Sequence, residues 1–280
     1  MSSQQDILVH YDDNPILYRQ FLGETMMYSC GIWQNADTLD QAQIAKIDYH
    51  LNAMEVNKNT SNIIDLGSGW GGFCNRLHIK FPSVHLTGLT LSPTQADYSS
   101  VTNTNCRFEV ADARSYSFDK IYDCAVSIGA LEHFSNQKEW RKGKHILTYK
   151  NFFRNAKLNV KGVLSLQTIF CKKQLHETKD VGLISYLRFM YKHIFPNSLV
   201  PPLSDILVSV EEYYHIESIR TSSEDYYKTI RHWQNNLNKN SSEIPKNLFE
   251  QFDKYFELTA KQFEKEHLGI CQLKLVPRKG

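Results

Sequence analysis

The densest chemistry in the sequence lies at Asp65-Leu66-Gly67-Ser68-Gly69-Trp70-Gly71-Gly72, where a carboxylate and four glycines follow the apolar run Ile63-Ile64. A strand that turns through such a loop into a helix brings bare backbone to the carboxyl edge of a sheet, where open α/β sheets bind ligands. Without Cβ atoms at Gly67 and Gly69 a nucleoside can touch the chain, although a tight turn with no ligand would use the same residues. A dinucleotide fingerprint is the competing reading. Against it, Gly71 already stands at the second residue after Gly69 with Trp70 wedged between, and the next apolar run ends in Thr90-Leu91-Ser92 and Gln95 rather than in an acidic residue to grip an adenosine ribose. A third run ends in Asp112-Ala113, where a carboxylate can accept from an adenine amino group and the following backbone N–H can donate to the ring. Adenosyl binding without a pyrophosphate, and so S-adenosylmethionine, is the reading these residues support.

The elements that must position this chemistry can be read from periodicity. Apolar β-type runs at 62–66, 84–91, 106–112, 122–129 and 163–169 alternate with helical stretches near 71–80, 93–100 and 146–159, which implies parallel strands with helices on both faces. Residues 216–221 and 271–277 supply two further strands, around helices at about 223–238 and 246–266. Ahead of the first strand, 38–54 opens with a capping-box pair (Thr38, Gln41) and carries Ile44, Ile47, Leu51 and Met54 at helical spacing, predicting a helix with that face in the core. No internal repeat or low-complexity linker divides the chain. The expectation is one domain over 1–280, with an N-terminal helical cap (1–60), a cofactor-binding core (61–170), an inserted lid (171–215) and a C-terminal part of the sheet with its helices (216–280).

Composition bounds the partners. Lys plus Arg (32) nearly balances Asp plus Glu (30), a formal charge of +2 that provides no field for nucleic acid. With 41% apolar residues, no basic-then-apolar start and no long uninterrupted apolar run, the chain reads as soluble and cytoplasmic, with at most peripheral membrane contact. Cys30, Cys74, Cys106, Cys124, Cys171 and Cys271 are scattered and form no C-x-x-C pair, so free thiols in a reducing compartment are expected and no metal site. Nothing in the sequence sets an oligomeric state.

Five ordered blocks resemble the cyclopropane fatty acid and mycolic acid cyclopropane synthases: 10–33 (HYDDNPILYRQFLGETMMYSCGIW), 38–48 (TLDQAQIAKID), 65–72 (DLGSGWGG), 88–95 (GLTLSPTQ) and 127–134 (SIGALEHF). The resemblance covers roughly residues 8–277 and weakens after 135. It implies a Rossmann-like class I methyltransferase with a mostly parallel seven-stranded sheet, and transfer of methyl from S-adenosylmethionine to a lipid double bond, followed by proton loss and ring closure. By the same resemblance Tyr28 and Ser29 line the methionine end of the cofactor, Asp65, Gly67 and Gly69 the loop beside it, and Thr90 and Gln95 the ribose side; Leu91 between them, and Asp112 and Ala113 from the adenine reading above, complete the expected cofactor set. Cys30, Glu132 and Tyr226, with the backbone around Ile128, match positions that hold a bicarbonate acting as base, and His133 follows Glu132 as in the family. One position departs: where the family's fifth strand ends in His-Thr-Ile, this chain has Gln167-Thr168-Ile169, and glutamine neither carries charge nor relays a proton. A second departure is the basic, aromatic stretch 135–162, readable either as an acceptor-facing loop for an anionic head group or as a solvated helix face.

The chemistry asks little acid–base help for the transfer itself, only alignment and exclusion of water. An alkene acceptor would become a carbocation, which the protein must surround with π faces; Tyr11, Tyr18, Phe21, Tyr28, Trp33, Phe134 and Tyr226 are the candidates, though ordinary core packing accounts for any single aromatic. Glu132, directly or through a bound anion, is the expected base. Cys30 has no visible activator, and His133 reads equally as a satisfied semi-buried side chain. The stretch 181–195 is an amphipathic cover that could admit an acyl or isoprenoid chain. Methylation at carbon or nitrogen of a small specialised metabolite is the alternative function, and a non-catalytic cofactor binder the third.

Overall fold

The computed structural model describes residues 15–172, 178–196 and 198–279. Tyr11, with the rest of the first fourteen residues, and residues 173–177 of the expected lid lie outside them. Seven strands form a single sheet: β1 (Asn62–Leu66), β2 (His85–Thr90), β3 (Arg107–Val110), β4 (Cys124–Ile128), β5 (Leu164–Cys171), β6 (Tyr214–Ser222) and β7 (Leu268–Pro277). Their order is β3-β2-β1-β4-β5-β7-β6. Pairings from β3 through β5 are parallel, whereas β7 runs antiparallel to both β5 and β6. The chain winds outward from β1 to β3 and then returns to β4, so strand order reverses between β1 and β4. Their carboxyl ends, Leu66 and Ile128, therefore flank the crevice where such sheets take ligands.

The described helices are α1 (Pro15–Leu22), α2 (Leu39–Ala53), α3 (Gly72–Lys80), α4 (Pro93–Thr102), α5 (Gln137–Arg141), α6 (His145–Asn159), α7 (Val181–His193), α8 (Leu203–Val210), α9 (Glu224–Lys239) and α10 (Lys246–Glu264). Alternation along a strand decides which layer each residue joins. Ile63 packs with Ile47 and Leu51 of α2 and Phe73 and Leu77 of α3, while its neighbour Ile64 packs on the opposite face with Phe152 and Phe153 of α6. A third cluster, rich in aromatics, joins α1, α7, α9 and α10. No helix among the described residues is long and apolar enough to cross a membrane.

Two expectations are corrected. The capping box of α2 forms, with Thr38 Oγ1 accepting from Gln41 N–H (3.3 Å) and Gln41 Oε1 from Thr38 N–H (3.2 Å), but Ile44 lies on the exposed side. The buried face of α2 instead runs through Gln43, Lys46, Ile47, His50 and Leu51. Apolar periodicity missed it because half of that face is polar. The cysteines are not all free either: Cys74 on α3 and Cys106, just before β3, form a disulfide, and Cys30, Cys124, Cys171 and Cys271 are buried free thiols. Thirty-two residues separate the pair, a spacing that shows nothing of the contact the fold makes between them.

Candidate active site

Residues 28–33 are held from two sides before any ligand is considered. Ile32 N–H donates to Ala42 O (2.9 Å), and Gln43 Nε2 on α2 donates to Ser29 O (2.9 Å). From α9, Thr229 Oγ1 accepts from Gly31 N–H (3.0 Å) and Trp33 Nε1–H (2.9 Å), and Asp225 Oδ1 accepts from Trp33 N–H (3.1 Å). Buried backbone groups so satisfied leave the segment little freedom, and Tyr28, Ser29 and Cys30 are presented to the crevice in one geometry.

Two cavities meet there. The first, about 900 Å³, is walled by Tyr28 and Ser29, by Asp65, Gly67 and Gly69 after β1, by Thr90, Leu91 and Gln95 after β2, by Asp112 and Ala113 after β3, and by Ile128 ending β4. Every expected cofactor residue thus lies on one wall. Gly67 has φ +129°, and a Cβ there would sit 2.6 Å from Ala130 Cβ; Gly69 has φ +52° and opens on empty space. Only the second glycine therefore clears room for a ligand, while the first is demanded by the turn and its packing. Gly72, at the third residue after Gly69, meets the dinucleotide spacing after all, so it is the ribose edge that argues against that cofactor. Thr90 Oγ1 donates to Gln95 Oε1 (2.7 Å), and Ser92 is spent capping α4 through Gln95 N–H (3.1 Å). Asp112 is clasped by Arg114, a wall residue the sequence reading missed. Burial works against the Asp112 charge, yet the Arg114 hydrogen bonds outweigh it and hold the carboxyl below its ordinary range. Asp65 is buried with Oδ1 unpartnered, and burial pushes it up to about 7.

The second cavity, about 700 Å³, shares Tyr28, Ser29, Gly129 and His133 with the first. Cys30, Glu132, Gln167 and Tyr226 line it, as do Tyr186 and Met190 of α7, Phe195, and Tyr255 of α10. Of the seven aromatic candidates, Tyr28 and Tyr226 face this cavity and Phe134 the first. Tyr18 and Phe21 pack into the aromatic cluster, and Trp33 stacks on His232. Tyr186, Phe195 and Tyr255 were not singled out, because on amphipathic helices a cavity-facing ring has the same spacing as a core-facing one. None of residues 135–162 lines either cavity.

Glu132 sits on the 3₁₀ turn Leu131–His133, one carboxylate oxygen accepting from Ile169 N–H (2.6 Å) and the other buried without a partner. Burial pushes its pKa up to about 7, against the pull of that N–H. His133 is drawn down to about 4 by burial and then by Arg114, so it is neutral, and its Nδ1 lies 3.2 Å from Ser198 Oγ. Cys30 Sγ–H donates to Gly31 O (3.1 Å), and burial pushes the thiol far up, which leaves it no nucleophile. Gln167 is tied into the sheet: Nε2 donates to Cys30 O (3.2 Å) and Oε1 accepts from Gln272 Nε2 (2.9 Å).

A seven-stranded sheet with one antiparallel strand, a glycine loop at its reversal point and an adjoining second cavity define a Rossmann-like methyltransferase that uses S-adenosylmethionine. The family model described as mycolic acid cyclopropane synthetase matches residues 1–273, and the chain belongs to that family. It is 30% identical to cyclopropane mycolic acid synthase 1 of Mycobacterium tuberculosis, with 95% of each chain covered, and 27% identical to cyclopropane mycolic acid synthase 3 of the same organism, with 96% of each covered. Among solved structures, the cyclopropane synthase MmaA2 from Mycobacterium tuberculosis superposes with a TM-score of 0.87 at 27% identity over 98% of both chains. Mycolic acid cyclopropane synthase CmaA1, complexed with SAH and CTAB, gives 0.85 at 27% over 98% of both. Coclaurine N-methyltransferase, at 18% identity and a TM-score of 0.77 over 94% of this chain and 80% of its own, shares the fold.

Proposed function

We propose that this enzyme methylates carbon of an unsaturated, lipid-like acceptor seated in the second cavity, with Glu132 removing the proton that closes a ring or restores an alkene. The observation that carries the reading is the free, buried carboxylate oxygen of Glu132 in a cavity otherwise walled by aromatic and apolar side chains. When bound, S-adenosylmethionine supplies a sulfonium-borne methyl group, an electrophile that needs no acid to activate it. The first cavity suits it: Ser29 and Asp65 at the amino-acid end, Thr90, Leu91 and Gln95 at the ribose, Asp112 and Ala113 at the adenine. Tyr28, shared by both cavities, stands where methyl must pass, and Tyr226 and Tyr255 offer π faces to developing positive charge.

A bicarbonate in the second cavity would meet no positive charge on its wall. Among the described residues that wall has no cationic side chain; one N–H of Gln167 goes to Cys30 O and its oxygen to Gln272, and the Cys30 S–H to Gly31 O, which leaves the Ser29 hydroxyl as a neutral donor there. Glu132 is therefore assigned as the direct base. We take the chain as one domain working in the cytoplasm, in at most peripheral contact with membrane.

Incubation with methyl-labelled S-adenosylmethionine and an extract containing unsaturated lipids tests the reading. Label should enter the lipid fraction with a mass gain of one CH₂, and NMR separates a ring from a branch. Label confined to water-soluble amines or small alkenes would favour the second reading, methylation of a specialised metabolite. One feature supports that alternative: a buried carboxylate with a free oxygen also accepts a proton from an amine.

A further inference from the structure

Lys46 is fully buried on α2, yet no carboxylate answers it. Its Nζ donates to Ser29 Oγ (2.7 Å) and Gln43 Oε1 (2.6 Å), and among the described residues it makes no ion pair. An interior ammonium is costly unless something offsets its desolvation, and an apolar side chain would fill the same space at no such cost. Asp65, on the wall of the first cavity, is likewise buried, with Oδ1 unpartnered. The two carboxyl and ammonium groups feel each other's field without pairing. Ser29, which accepts the Lys46 hydrogen bond, stands on the wall of both cavities. Because an ammonium only donates, the Ser29 hydroxyl proton is directed away from Lys46, and among the described residues it has no acceptor.

We propose that Lys46 is a positioning residue for the amino-acid end of the cofactor: it turns the Ser29 hydroxyl proton into the first cavity and, together with Asp65, makes a divided pair of charges that seats a zwitterionic α-amino acid, carboxylate toward Ser29 and ammonium toward Asp65. The assignment rests on S-adenosylmethionine occupying the first cavity. It explains why both groups are strained toward neutrality in the free protein. Burial draws Lys46 down to about 7 and pushes Asp65 up to about 7, and a ligand bringing the opposite charge to each restores the ionised forms.

Calorimetry on the whole chain with three probes tests it: S-adenosylhomocysteine, its decarboxylated analogue, and 5′-methylthioadenosine, which lacks the amino-acid end. The wild type should prefer S-adenosylhomocysteine over the decarboxylated analogue by roughly tenfold or more, as a charge-assisted contact implies. Lys46→Met should weaken S-adenosylhomocysteine by roughly 10- to 100-fold and leave 5′-methylthioadenosine unchanged. Equal losses for the two ligands would mean a structural role, and wild-type affinity in the variant would mean none; either overturns the assignment. Should Lys46→Met fail to fold, the wild type decides alone, since a decarboxylated analogue that binds as tightly as S-adenosylhomocysteine removes the carboxylate seat. A wild type that binds not even 5′-methylthioadenosine would remove the cofactor reading, and this assignment with it, a result distinct from loss of the carboxylate preference alone.

Discussion

Replacing Glu132 by Gln separates activity from stability in opposite directions. The amide keeps the size of the side chain and an oxygen to accept from Ile169 N–H, but it puts an NH₂ group where the free carboxylate oxygen lies. A general base contributes about 10²- to 10⁴-fold, so turnover should fall by that factor. Affinity for S-adenosylhomocysteine should hold, because Glu132 lines the acceptor cavity and not the cofactor cavity. Stability moves the other way. Glu132 ionises near 4.5 when unfolded and near 7 in the fold, so between those values the folded chain binds more protons and stability falls as pH rises. By pH 8 the ionised side chain costs up to ~3 kcal/mol at roughly 1.4 kcal/mol per pH unit. Glutamine escapes that cost: the variant should melt roughly 5 °C above wild type at pH 8 and beside it at pH 4. Wild-type turnover should climb through about pH 7 as the base ionises, and Glu132→Gln should lose that limb. Methyl-transfer assays under saturating cofactor, with thermal melts at both pH values, measure all of this. If Glu132→Gln loses no more turnover than Gln167→Ala, whose amide only ties Cys30 O to Gln272, Glu132 is not the base.

Gly67→Ala should weaken S-adenosylhomocysteine binding by at least tenfold and destabilise the protein by about 1–3 kcal/mol, because the added Cβ meets Ala130 at 2.6 Å in a backbone conformation side chains avoid. Calorimetry showing wild-type affinity would mean the loop yields without disturbing the cofactor wall. Thr38→Ala removes the capping box of α2 and should cost about 1 kcal/mol, a fall of roughly 2 °C in melting temperature, with turnover intact. An unchanged melting curve would show that α2 is held by packing alone.

What the sequence made legible follows a physical rule. Strands and the glycine loop could be read because their signals are local: an apolar run at Asn62–Leu66, turn residues at fixed offsets, a cap three residues from its partner. Glu132 and Tyr28 came from ordered motifs, and the fold sets them on one crevice. The disulfide between Cys74 and Cys106 and the cavity rings Tyr186, Phe195 and Tyr255 are tertiary facts, since their neighbours lie on elements far along the chain.

The misread face of α2 is the instructive case. Apolar periodicity puts Ile44 inside, whereas Gln43, Lys46 and His50 hold interior positions. They are polar for a reason that packing cannot supply. Gln43 satisfies the carbonyls of Met27 and Ser29, Lys46 loads the Ser29 hydroxyl, and His50 Nδ1 lies 2.7 Å from Ser165 Oγ on β5. Burial draws His50 down to about 3 and thereby keeps it neutral, so Lys46 is the only member of this row able to bring positive charge toward Ser29. A helix built for stability would fill these sites with leucine. This one gives up apolar burial to fix the short segment that carries Tyr28, Ser29 and Cys30, which is where sequence rules are expected to break: at the residues a site needs more than the core does.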